Sequence, residues 1–315
     1  MTHPFIVVGL GESLFDVFPD RAILGGAPLN VAYHAHQLCS RNGGRGVVAS
    51  GIGCDEFGRQ MLSELQSRKL SDEFVQRDSQ HPTGRVDIAL QNGEPTYTFL
   101  ADVAWDYLAW TPEWQQLATT CNAVVFGTLA QRCPTSRVTV QQFVCVARQA
   151  IRLFDVNLRV TFFDAETIRR GAELATAIKL NEDEIPVVLH MLGLDHDFND
   201  DCSSESAADT THKTGASRLL DAFGSNGLKI VVVTRGARGT ALITRDEFIT
   251  GPVAQFARHP QADNVGAGDA CSAGLLWGWL NQWRHSETVT LANRLGAFVA
   301  SQPGATPPIP AEVFV

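Results

Sequence analysis

Asp263-Asn264-Val265-Gly266-Ala267-Gly268-Asp269, followed at once by the apolar run Ala270 to Trp283, is the stretch on which the reading of this chain turns. Small residues just ahead of an apolar helical run let the backbone approach a ligand, and a helix start offers free N–H groups and the positive end of a dipole. The segment therefore reads as an anion cradle. Asp269 stands at the same helix start, where the dipole favours an ionised carboxylate able to accept a proton. A base beside anion donors is what transfer of a phosphoryl group to a hydroxyl requires. Taken alone, the same residues are a glycine turn with Asp269 as an ordinary N-cap, so the rest of the chain has to decide.

Outward from this stretch, short apolar runs alternate with segments of helical period. Phe5 to Val8, Gly46 to Ala49, Ala123 to Phe126, Arg152 to Val156, Ala177 to Leu180 and Lys229 to Thr234 read as buried strands. Helices are expected to start near Leu29, Asp55, Thr135, Asp164, Ala216, Ala270 and Glu287. Steady alternation predicts an α/β fold with a mostly parallel central sheet flanked by helices, Rossmann-like in layering, in one domain over residues 1–315. Two stretches break the rhythm, Leu14 to Leu24 and Gly84 to Trp105. Polar and apolar residues alternate there, with Arg85, Asp87, Gln91, Tyr97 and Phe99 among them, as in half-exposed antiparallel strands. They are expected to form a small antiparallel β lid over the carboxyl ends of the parallel strands, where ligands of open α/β sheets bind. A peripheral hairpin is the plainer alternative. Leu194 to Gly215, polar and acidic, reads as a mobile loop, and the proline-rich tail from Pro303 as surface chain.

Composition narrows the function classes. The 315 residues are 44% hydrophobic, enough for a sizeable core. With 25 Lys plus Arg against 34 Asp plus Glu, the net charge of -9 and the lack of a basic cluster argue against a nucleic-acid partner. The first apolar run is too short for a membrane span. Seven cysteines without a C-x-x-C pair argue against a zinc or redox motif, are expected to be mostly small core residues, and fit a cytoplasmic location. Gly9-Leu10-Gly11 follows a strand, but Leu14 replaces the third glycine of a dinucleotide fingerprint, and no G-x-x-x-x-G-K-[ST] occurs.

Several further segments, in order, carry a resemblance: Gly11-Glu12-Ser13-Leu14-Phe15-Asp16, Gly25-Gly26-Ala27-Pro28-Leu29-Asn30, Gly51 to Gly58, Asp155-Val156-Asn157-Leu158-Arg159, Lys179 to Glu184 and Val233 to Gly239. With Asp263 to Asp269, they resemble the ribokinase-like, or PfkB, family of carbohydrate kinases over essentially the whole chain. The resemblance implies a ribokinase-like fold and an ATP-dependent sugar kinase using Mg²⁺. It makes Asp269 the catalytic base and gives the amides of Gly266, Ala267 and Gly268 the charge of the transferred group. Asn181 and Glu184 would organise Mg²⁺ through water, since this ion gives up its hydration shell reluctantly. Asp16, Gly26 and Asn30 match positions that bind sugar hydroxyls, and a short carboxylate and a carboxamide can each meet two of them. Thr234, Gly236 and Gly239 resemble nucleotide contacts, with Asn293 the polar contact for adenine. By themselves those glycines would mark a hairpin and Glu184 a solvated helix residue. Asp263 and the Ser301 to Gly304 turn match a monovalent-cation site, K⁺ in kind. Asn264 stands where threonine is common, which bears on cation dependence.

Gly127 to Arg132, Pro95 to Phe99 and Val103 to Asp106, with the Gly25 to Asn30 form of the first motif, resemble the bacterial fructokinase branch, with Phe99, Gln131, Arg132 and Arg159 as further substrate contacts. D-fructose is the expected substrate. Two arginines could equally pair with the carboxylate of 2-keto-3-deoxygluconate, and a phosphorylated sugar is a third option. A homodimer through the exposed lid edge is expected by the same resemblance. The reading from another class is a non-catalytic sugar sensor, against which the intact Gly266 to Asp269 segment argues.

Overall fold

The Val- and Ile-rich runs bury both their faces, which is what drives them into adjacent parallel strands. A computed structural model describes residues 4–91, 94–159, 161–196 and 204–314. In chain order the elements are β1 (Ile6–Leu10), β2 (Leu14–Val17), β3 (Ala22–Gly25), α1 (Ala27–Cys39), β4 (Arg45–Gly53), α2 (Glu56–Ser67), β5 (Val75–Asp78), β6 (Gly84–Gln91), β7 (Glu94–Phe99), α3 (Pro112–Thr120), β8 (Ala123–Phe126), α4 (Pro134–Val146), β9 (Ile151–Asp155), α5 (Ala165–Leu174), β10 (Ala177–Asn181), α6 (Glu184–Leu192), α7 (Glu205–Phe223), β11 (Ile230–Thr234), β12 (Thr240–Ile243), β13 (Phe248–Thr250), α8 (Ala267–Leu280) and α9 (His285–Ala300).

Nine strands make one sheet in the order β13-β12-β11-β10-β9-β8-β1-β4-β5. From β5 to β11 all neighbours are parallel, and β12 and β13 add an antiparallel edge. Alternate residues point to opposite faces, and the packing follows that period. Val8, Val124, Phe126, Phe154, Ile178 and Val231 meet Trp114, Phe143, Ile168, Val188 and Leu219 from the helices α3 to α7. Val7, Ala123, Val125, Leu153 and Ala177 meet Val31, Leu38, Ala273, Leu276, Leu295 and Val299 from α1, α8 and α9. The tail returns to this second face, where His34 is hydrogen-bonded to the Ala305 carbonyl at 2.9 Å and the Ile309 amide donates to Gln37 at 2.8 Å. Burial holds His34 far below the usual imidazole range, at about 4, so it is neutral and Nε2–H is the donor.

The second sheet has the order β3-β2-β6-β7. It consists of two antiparallel hairpins, β2 with β3 and β6 with β7, joined by parallel pairing of β2 and β6. Its root is fixed by Arg132. That guanidinium donates to both Asp106 oxygens at 2.8 and 2.7 Å and to the Leu100 carbonyl at 2.6 Å, and it lies 4.0 Å over the Trp105 ring. Phe162 covers its other side and meets Phe99 edge-on at 5.4 Å.

Two expectations are corrected. The second half of the segment read as a loop is helical: α7 is capped by Ser204, whose Oγ accepts from the Ala207 amide, and residues 197–203 lie outside the described ones. Its polar composition belongs to an exposed face, while Ala208, Ala216, Leu219, Leu220 and Phe223 supply the buried one. The cysteines divide: Cys39, Cys121 and Cys271 are buried, but Cys54 and Cys145 are exposed, and Cys202 lies outside the described residues. Among the described residues, no helix is long and apolar enough to cross a membrane.

Arg132 and Asp106 keep only 8% and 4% of their side chains exposed, so removing one partner leaves a buried charge without its counter-ion. Breaking such a pair costs about 3–5 kcal/mol. Asp106→Ala is expected to lower the melting temperature by about 6 °C or more in a calorimetric scan. A shift within error of wild type would show that the lid root is held by something else.

Candidate active site

The cradle starts where Gly266 turns the chain into α8. Its φ of 77° is left-handed, and a Cβ there would lie 2.4 Å from the Ala305 carbonyl oxygen, so only glycine fits. Asp263 closes the loop, accepting from the Val265 amide at 3.0 Å and the Gly304 amide at 3.2 Å. Among the described residues the amides of Gly266, Gly268 and Asp269 have no backbone partner. Ala267 differs from the expectation: its amide is already engaged by the Asn264 carbonyl at 3.3 Å. The amides left without a backbone partner at the start of α8 are thus those of Gly266, Gly268 and Asp269 itself.

Asp269 is the third residue of α8, and the cap is Gly266. Only 9% of it is exposed, and Asn30, on the first turns of α1, donates Nδ2 to its Oδ2 at 2.8 Å. This one bond joins positions 239 residues apart. The helix dipole does not set the charge state, contrary to the sequence-based expectation. Burial pushes the carboxyl up to about 6, Asp155 adds like-charge repulsion, and Lys179, the Asn30 bond and Arg159 only partly offset these.

Beneath the cradle lies a buried ion pair. Lys179 and Asp155 are register partners on β10 and β9, and Nζ donates to both carboxylate oxygens at 2.8 and 2.7 Å. Ser272, one turn after Asp269 on α8, donates to the same carboxylate at 3.0 Å. Burial alone would push the Lys179 ammonium down, but Asp155, Cys271 and Asp269 outweigh it and hold the group above its ordinary value. Sequence reasoning gave these three residues no role. The available signal was a lysine inside the apolar run Ala177-Ile178-Lys179-Leu180 and an aspartate at the end of a neighbouring run, opposite charges on adjacent strands.

Asp16, on β2 of the small sheet, packs beside the glycine pair that leads into α1. A Cβ on Gly25 would lie 3.4 Å from Asp16 Oδ2, and one on Gly26 would lie 2.6 Å from the Glu12 carbonyl oxygen. Gly26 has a φ of 110°, so both space and conformation require glycine. Burial raises the Asp16 carboxyl, with the exposed Arg159 guanidinium working against it; Arg159 acts in the same sense on Glu12 and Asp269. One exposed cation therefore serves three carboxyls. Phe99 is half-buried at the lid root against Phe162.

Other expected contacts point elsewhere. Gln131 is fully buried, its amide donating to the Gly127 carbonyl at 2.7 Å and accepting from Gln141 at 3.1 Å. Arg132 is engaged by Asp106 and Leu100. Asn293 gives its oxygen to the Thr240 amide at 2.8 Å and its NH₂ to the Gly251 and Pro252 carbonyls, so its polar atoms hold β12 to α9. Asn293 and Gln131 thus spend their polar atoms on packing, whereas Arg132 keeps Nη1 without a partner among the described residues.

Thr234 ends β11, and Gly236 to Gly239 turn the chain into β12, with left-handed φ values of 55° and 71° at the two glycines. The turn is the hairpin that these glycines alone would mark. Arg238 is ion-paired to Glu182, and Arg235 to Asp209, which fixes this turn to the end of β10 and to α7. At the same end Asn181 and Glu184 bond reciprocally: Glu184 Oε2 accepts the Asn181 amide and Asn181 Oδ1 accepts the Glu184 amide, both at 2.9 Å. Glu184 Oε1 accepts the Leu158 amide at 2.7 Å. Burial raises this carboxyl despite those bonds. Among the described residues no three His, Cys, Asp or Glu side chains are grouped so as to hold a metal ion.

Residues 18–312 match the profile of the pfkB family carbohydrate kinases. Fructokinase-2 of Oryza sativa subsp. japonica is 27% identical over 98% of this chain and 92% of its own length. Among solved structures, fructokinase with bound ATP from Xylella fastidiosa superposes with a TM-score of 0.74 at 20% identity, covering 96% of this chain and 94% of that one. Aminoimidazole riboside kinase from Salmonella enterica gives 0.71 at 23% identity, with 95% and 94% covered.

The electrostatics of the cluster are open to direct test by carboxyl NMR. Asp155→Asn removes the like charge and frees Lys179, so the Asp269 midpoint is expected to fall below about 6. Asn30→Ala removes a donor to the ionised form, so the midpoint is expected to rise. Movement in the opposite sense in either variant would contradict this account.

Proposed function

Since the chain belongs to the pfkB family of carbohydrate kinases, phosphotransferases with an alcohol group as acceptor, we propose that it transfers the terminal phosphoryl group of ATP to a hydroxyl of D-fructose, with Asp269 as general base. The observation that carries this is the Asn30 to Asp269 bond. It ties the wall bearing Asp16 and Gly26 to the free amides at the start of α8, so one buried carboxyl faces both. The sugar would lie between Asp16, Gly26 and Asn30, with its reacting hydroxyl on Asp269 and Arg159 at the mouth. The ATP phosphates would meet the amides of Gly266, Gly268 and Asp269, and the nucleotide would lie along the turn Thr234, Gly236 and Gly239. Asn181 and Glu184 fit a role holding waters of Mg²⁺, which neutralises phosphate charge when bound. Asp263 would adjoin a K⁺ ion at the turn of residues 301–304.

Asp269 accepts the hydroxyl proton as the phosphoryl group transfers. Its raised affinity for a proton, near that of a base poised for neutral pH, suits that task better than an ordinary carboxylate would. Fructose is favoured over a sugar acid because only one of the two candidate arginines is free: Arg132 is bound to Asp106, and Arg159 already compensates three carboxyls. The reading of a sugar sensor without turnover is disfavoured by the same buried carboxyl, which burdens the fold and has no use without a proton to accept.

With MgATP, an ADP-release assay over a sugar panel is expected to show turnover on D-fructose; none on any sugar would refute the reading. Asp269→Asn is expected to lose about 10² to 10⁴ in kcat while still binding fructose. For wild type, kcat/KM should fall as pH drops below about 6, where Asp269 becomes protonated. The stability sign is opposite: a carboxyl raised in the folded state stabilises the fold at low pH and loses that contribution as pH rises through its folded value. Asp269→Asn should therefore melt higher than wild type at pH 8, and equal melting temperatures would speak against a strained base. A lid-mediated dimer, pairing the open edge strands β3 or β7, should appear in light scattering at micromolar concentration.

A further inference from the structure

Glu12 follows directly on β1 and is only 4% exposed. Its Oε2 has no hydrogen-bond partner among the described residues. The carboxyl lines a narrow cleft at the carboxyl ends of β1, β8 and β9 beneath the start of α1, together with Pro28, Thr128, Asp155 and Asn157. The free room there is about 10 Å³, enough for a single water-sized group. A lone carboxyl in such a place is unfavourable unless something satisfies it. Neither neighbouring cation bonds to it: Lys179 is bound to Asp155, and the exposed Arg159 acts on it only through its field. A metal ion does not, since no metal-holding group forms among the described residues. Yet the cleft adjoins the sugar side of the site. Gly26 packs on the Glu12 carbonyl, and the Glu12 carboxyl lies within electrostatic reach of Asp269.

We infer that Glu12 is a specificity-determining residue: its carboxyl takes one hydroxyl of the bound sugar, inserted into the cleft beneath Gly26. This rests on the kinase reading and deepens it. The room admits one hydroxyl and not a whole ring, so the sugar sits above, between Asp16 and Asn30, and sends one arm down. Burial raises the Glu12 carboxyl to about 7, so near neutrality both forms are present. The ionised form accepts from a hydroxyl, and the acid form donates to its oxygen. Sites that hydrogen-bond a substrate hydroxyl reject analogues lacking it, because their own polar group is then left unpaired. The cleft therefore screens sugars by the presence and configuration of that hydroxyl.

The test is a coupling experiment. kcat and KM are measured for fructose and its single-deoxy analogues with wild type, Glu12→Gln and Glu12→Ala, each checked for folding by thermal melting. One deoxy analogue is expected to lose about 10- to 100-fold in kcat/KM with wild type, the size of a hydrogen bond to a charged group, and little further with Glu12→Ala. For fructose itself, Glu12→Ala should raise KM by a similar factor with kcat little changed, and Glu12→Gln should restore part of the loss. If KM for fructose stays within about twofold in both variants, or if every analogue loses equally in all three proteins, Glu12 faces water and the inference is overturned. Wild type without turnover on any sugar would instead defeat the kinase reading, a result read in the same assay before any variant.

Discussion

Asp155 and Asp269 are two carboxyls of like charge buried beside each other, with the Lys179 ammonium as the buried cation beside them. The arrangement is stable because the contest is uneven. Lys179 gives two short hydrogen bonds to Asp155 and none to Asp269, so one carboxylate has the ammonium as its partner and the other is left to bear the burden of burial. The strands explain the asymmetry, since Lys179 and Asp155 sit opposite each other in register while Asp269 arrives from a helix across the sheet edge. A carboxyl with a raised proton affinity is the result. The chemistry thus follows from which carboxylate the lysine can reach.

The same economy governs the small sheet. Its two hairpins hang from the main body through Arg132, which gives one guanidinium edge to Asp106 and Leu100 and one face each to Trp105 and Phe162. A planar fork flanked by two aromatic rings fixes direction as well as position. Asp16 and the glycine pair are therefore delivered to the site by the root of the sheet, while its outer strands remain free to pair or move.

Most of the architecture was legible because the Val- and Ile-rich runs are buried on both faces and have no other stable place than a parallel sheet. The glycines and Asp269 were legible for a different reason: they cluster in the chain as they cluster in space. What failed shares one cause. The polar stretch before Ala216 looked like a loop because its exposed face dominates the composition, although Ala208, Leu219 and Phe223 hold the helical period. Gln131, Arg132 and Asn293 carry the right donors, but donors can be used inward, and no sequence says which partner is nearer. The ionisation of Asp269 was misjudged because a local term, the helix dipole, was visible, while the larger ones, burial and Asp155, are properties of the assembled site.

The tail that returns under α1 and against Gly266 has a consequence for the order in which the protein consolidates. The wall carrying Asp16 and Asn30 is far in sequence from Ala305 and Gly304, which shape the loop before α8, and the bond from His34 to the Ala305 carbonyl alone spans 271 positions. Contacts of such separation cost loop-closure entropy before they reward it, so they form after the local strand and helix units. Competence is therefore acquired at the closing step of folding rather than by degrees.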